Sequence, residues 1–131
     1  MLLAACGSSA KSNSTAKSDF IAQADAICSS YNDQASKATA NLKHPNQRQM
    51  IAAIQKRLVP LFQRQDTELA QLRPPAADRA TVAKFIVDLR AATNDIALHP
   101  EAFVAAHGAT PLARKAADEA AAYGFAVCAR I

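Results

Sequence analysis

Two cysteines, Cys28 and Cys128, constrain this chain more than any other pair of residues. Cys28 lies in Asp19-Phe-Ile-Ala-Gln-Ala-Asp-Ala-Ile-Cys-Ser-Ser-Tyr31, whose apolar residues at 20, 24, 27 and 31 draw one stripe along a helix. Cys128 stands near the other end of the chain. A bond between them would tie the first helix to the last and close everything between into one loop.

The composition agrees with a helical chain. The 131 residues leave room for one domain, and 32 of them are alanine. Alanine favours helices and buries little area, so the expected core is thin and closely packed. Only three glycines occur, too few for a β-rich fold dense in tight turns. The net charge of +4 is spread over dispersed Lys and Arg with acids between them, which reads as a solvated surface. A basic face for nucleic acid or an anionic cell-wall polymer is the less favoured alternative.

Start and stop signals divide the body into four amphipathic helices. Ser18 is the expected N-cap of the first, whose stripe continues through Ala35, Ala38 and Leu42 until Pro45 ends it near Lys43. Asn46 and Gln49 form a capping-box pattern for the second helix, which carries Ile51, Ile54, Leu58, Leu61, Leu69 and Leu72. Pro60 falls inside that pattern and predicts a kink, and Leu72-Arg73-Pro74-Pro75 is the stop. The third helix is expected from about Ala76 to Leu98, ended by His99-Pro100 and followed by a short turn closed at Gly108. Thr110-Pro111 starts the fourth, expected to reach the terminus with Gly124 inside it. Short connections then predict an all-α, antiparallel up-down-up-down four-helix bundle. In that arrangement Cys28 and Cys128 sit at depths that differ by only about 4 Å, so a disulfide between them is expected.

Cys6 accounts for the odd cysteine. Leu3-Ala4-Ala5-Cys6 resembles the lipobox of bacterial lipoproteins, and Gly-Ser-Ser after it resembles their tether. The resemblance implies lipid on Cys6, a residual signal sequence at 1–5, a lipid-anchored disordered tether at 6–17 and a bundle at 18–131. With Asp19-Phe20, Cys28, Leu72-Arg73-Pro74-Pro75 and Ala122-Tyr123-Gly124-Phe125 leading to Cys128, the layout resembles small alanine-rich secreted or lipid-anchored proteins of high-GC Gram-positive bacteria. It implies a place on the outer face of the cell membrane, or secretion, where a disulfide persists. It implies no catalytic residue.

Enzyme signatures are missing from the sequence. There is no glycine-rich phosphate loop and no His-Glu-x-x-His pair, and no serine follows Ser36. Asp66/Glu68 and Asp118/Glu119 read as surface charge, Met50 as a gap-filler, and Tyr31 and Tyr123 as core residues with satisfied hydroxyls. His44, His99 and His107 should share one end of the bundle, where they could serve a haem or transition metal. Their places beside helix ends already explain two of them without a ligand, so no metal or other cofactor is expected. The expected function is a non-catalytic binding or structural module of the cell envelope. Its expected partner is an envelope protein or small ligand, with haem or metal carriage and polyanion binding as alternatives.

Overall fold

The computed structural model describes residues 9–130, with side chains from residue 16 onward. All regular structure among the described residues is helical. α1 runs Ser9–Thr39, α2 Gln47–Ala53, α3 Val59–Gln71, α4 Arg79–Leu98, α5 Pro100–Ala105 and α6 Pro111–Tyr123. No described helix is long and apolar enough to cross a membrane.

Local signals act as read. The Asn46 side chain accepts from the Gln49 N–H at 2.9 Å and the Gln49 side chain answers at 3.0 Å, closing the capping box. Thr110 caps α6 by accepting from the Ala113 N–H at 3.3 Å. The π-helical stretch Ile54–Leu58 joins α2 to α3 directly before Pro60. The Val59 N–H donates to the Ile54 carbonyl, five residues back. This wider turn eases the crowding of the proline ring against the preceding turn, so helix continues from 47 to 71 across a residue that has no N–H to give.

Three expected boundaries are corrected. α1 begins at Ser9, before the expected cap at Ser18, and Cys6 lies outside the described residues. α1 also stops at Thr39 rather than near Lys43. The last helix ends at Tyr123 instead of the terminus, because Gly124 takes the left-handed cap position at φ 116°. The Phe125 N–H then reaches back to the Ala120 carbonyl at 3.0 Å, a closure that satisfies a terminal helix carbonyl.

The segment after Gly124 turns back onto α1. Asp25 accepts from the N–H groups of Ala126, Val127 and Cys128 at 3.0, 2.9 and 3.0 Å. The same turn brings Cys128 to Cys28, and the expected disulfide is present, with 5.3 Å between the Cα atoms. Phe125 is buried against Phe20, Phe85 and Tyr123, with ring centroids 5.9, 5.5 and 4.9 Å away.

Packing is closest between α4 and α6, then between α3 and α4 and between α1 and α3. One apolar cluster holds Phe20, Ala24, Leu69, Phe85, Ala120 and Phe125; a second holds Tyr31, Ile54, Leu58, Leu61 and Ile96. α1 and α6 both contribute to the wall of a cavity where the two clusters meet, and they are not among the closely packed pairs.

A candidate binding cleft around Asp66

The cavity has a volume of about 390 Å³. α1 supplies Asn32 and Ala35, α3 Phe62 and Asp66, α4 Thr93 and Ile96, and α6 Ala113 and Ala117. The alanines of α6 leave this space, since a small side chain fills little of the gap to the facing helix. Cys128 and Arg130 complete one edge, so the disulfide-bonded tail forms part of the wall.

Asp66 is the one acid of that wall, which also carries the polar side chains of Asn32, Ser36, Gln65, Thr93 and Arg130. Sequence reasoning assigned it to the surface; it is only 3% exposed. The error has a simple origin, because pairing Asp66 with Glu68 hid its place in the α3 stripe. Leu58, Phe62, Asp66 and Leu69 follow one another at steps of four, four and three, the spacing of a buried helix face. Asp66 Oδ1 is buried and has no hydrogen-bond partner among the described residues. Burial pushes its carboxyl up from 3.8 to about 6, against the opposing effects of a hydrogen bond with Thr93 and the charge of Arg90. Thr93 is itself 4% exposed.

The other buried hydroxyls are satisfied. Tyr31 donates to Glu68 Oε1 at 2.6 Å and Tyr123 to Asp78 Oδ2 at 2.7 Å. The bond to Glu68, then burial, raises the Tyr31 pKa, and burial, then Asp78, raises that of Tyr123. On the outer face Lys84 pairs with Asp88 at 2.6 Å and with Glu119. The Lys84 hydrogen bond is the first cause holding Asp88 down at about 2.

The histidines are placed by the backbone. His44 and His107 adopt left-handed conformations at φ 48° and 51°, which histidine tolerates better than most side chains, and His99 is the cap between α4 and α5. His107 borders a separate groove of about 320 Å³ that also includes Leu42 and Pro45, so it lies beside the connection that carries His44. His99 Nδ1 is 3.8 Å from Glu101 Oε1, with both side chains exposed. Among the described residues no three His, Cys, Asp or Glu side chains are grouped to hold a metal ion.

Comparison with protein families, curated proteins and solved structures yields no match.

Proposed function

We propose that this chain is a lipid-anchored, extracytoplasmic binding module of the cell envelope that takes a small ligand between α1 and α6 and performs no catalysis. The observation that carries this reading is the cleft itself: mostly apolar, about 390 Å³, and walled by one buried carboxylate whose Oδ1 has no partner among the described residues. Ligand pockets are typically apolar with few placed polar groups, in a range of roughly 300–1,000 Å³. The lining offers no pair of general acid and base, and Cys128 is already bonded to Cys28.

The scaffold belongs to the proposal. An antiparallel up-down-up-down four-helix bundle is supported by the order of side-chain pairs. Tyr31 meets Glu68 while Arg57 reaches the Ala38 carbonyl, and Asp78 meets Tyr123 while Asp88 meets Lys115. In this reading the helix spanning 47–71 counts as one member and α5 closes the end. The disulfide supports an oxidising compartment, and the Leu3-Ala4-Ala5-Cys6 stretch supports the anchor.

Mass spectrometry of protein extracted from its native membrane tests both parts. Diacylglycerol on Cys6 and a non-covalent small-molecule adduct are expected. A free Cys6 thiol would remove the anchor, and a bare chain under gentle extraction would remove the ligand.

A further inference from the structure

We infer that the cleft selects a small apolar molecule bearing one protonated amine, with Asp66 as the group that receives the ammonium. The inference rests on the binding-module reading and adds the ligand class.

The argument begins with what Asp66 lacks. An ionised carboxylate only accepts hydrogen bonds, so the complement of Oδ1 is a donor. Thr93 and the charge of Arg90 act on the carboxyl only enough to oppose part of the effect of burial, and Arg90 makes no ion pair with it. Among the described residues Asp66 takes part in no salt bridge. The strongest complement to a desolvated carboxylate is a cationic donor, which neutralises the charge as well as filling the lone pair.

The surroundings select among cations. A hard metal ion needs several oxygen ligands, and no such cluster exists among the described residues. An ammonium on an apolar body needs one carboxylate and an apolar wall. Two half-buried aromatic side chains, Phe62 and Phe103, line the same cavity with their centroids 6.4 Å apart. Aromatic faces attract cations and add nothing for anions. Arg130 lines the edge and Arg90 lies near Asp66, and both are exposed, so water screens them more than it screens the buried carboxylate.

Three probes of similar size separate the possibilities: phenethylamine, phenethyl alcohol and hydrocinnamate. Each is titrated at neutral pH into the oxidised full chain and into Asp66→Asn, with binding read from amide and side-chain NMR shifts. The amine is expected to perturb resonances of Phe62, Thr93 and Phe103 and to bind at least about tenfold tighter than the alcohol. Asp66→Asn should bring the amine to the level of the alcohol. In the native chain the amine should also lower the midpoint of the Asp66 carboxyl ¹³C titration. An alcohol or acid that binds as tightly as the amine overturns the ligand class while leaving the cleft a binding site. An amine that binds Asp66→Asn equally well overturns the role of Asp66. If none of the three moves a cleft resonance, both the inference and the binding reading beneath it fall.

Discussion

Replacing Asp66 with asparagine should stabilise this protein at neutral pH, and the gain should vanish in acid. The Asp66 carboxyl is displaced from 3.8 to about 6 by burial. A carboxyl raised on folding means that the native state holds a proton more tightly than the unfolded chain does. Between pH 3.8 and about 6 the native state therefore carries more protons, and stability falls as pH rises. The penalty becomes complete only well above about 6, where the native carboxyl is fully ionised, and it vanishes well below 3.8. The displacement corresponds to about 3 kcal/mol at neutral pH, a large share of the roughly 5–15 kcal/mol that holds a domain together. Asparagine keeps nearly the same shape and has no charge to desolvate. Urea unfolding of both proteins from pH 3 to 8, with the disulfide intact, measures the difference. The gap between Asp66→Asn and the native chain should widen with pH by about 3 kcal/mol and level off above pH 7. A pH-independent gap, or one that closes as pH rises, would refute the reasoning. A saturating amine ligand should shrink the gap again, because it supplies the missing donor to the native chain alone.

Reduction of Cys28–Cys128 opens a loop of 100 residues, for which chain entropy sets a stabilisation of up to about 4.7 kcal/mol. Calorimetry with and without reductant should show a fall in Tm of roughly 10–20 °C; an unchanged Tm would mean that the Asp25 and Phe125 contacts hold the tail alone. Pro60→Ala should destabilise the protein by about 0.4–1 kcal/mol, since the unfolded chain gains freedom that the native helix does not use. Chemical denaturation checks this, and a gain in stability would show that the π-helical stretch is strain imposed by the proline.

Much of the helical layout was legible in the chain because helix ends are local events. The Asn46–Gln49 box, the Thr110 cap and the Leu72-Arg73-Pro74-Pro75 stop each need only a few neighbouring residues, and the structure places all three where they were read. The Cys28–Cys128 bond was expected from helix lengths that put the two sulfurs at one level, and the bond is present by another route, since α6 ends at Tyr123 and the tail held by Asp25 carries Cys128 back to Cys28. Gly124 shows the limit of local reading. Within a run of alanines it resembled a tolerated interior residue, yet its left-handed turn ends α6 and lets Phe125 bury itself beside Phe20. A helix continued to the end would have carried Phe125 past that position, and only tertiary burial decides against it.

The candidate site depended still more on tertiary structure. Sequence alone determined that this chain would be helical and where most of its caps lie, since spacing and capping chemistry act over one or two turns, whereas the turned-back tail that carries Cys128 to Cys28 is a product of tertiary structure. Asp66 carried a signal in its register with Leu58, Phe62 and Leu69, but register says only which face a residue shares. Whether that face meets solvent, a tight core or a cavity is set by the opposing helices. Here the small residues Ala113 and Ala117 of α6 stand across from Asn32 and Ala35 of α1, leaving a space beside the carboxylate. The depth of Asp66 and the missing partner of its Oδ1 arise from the sum of side-chain volumes on helices far apart in the chain. No window along the sequence contains that sum.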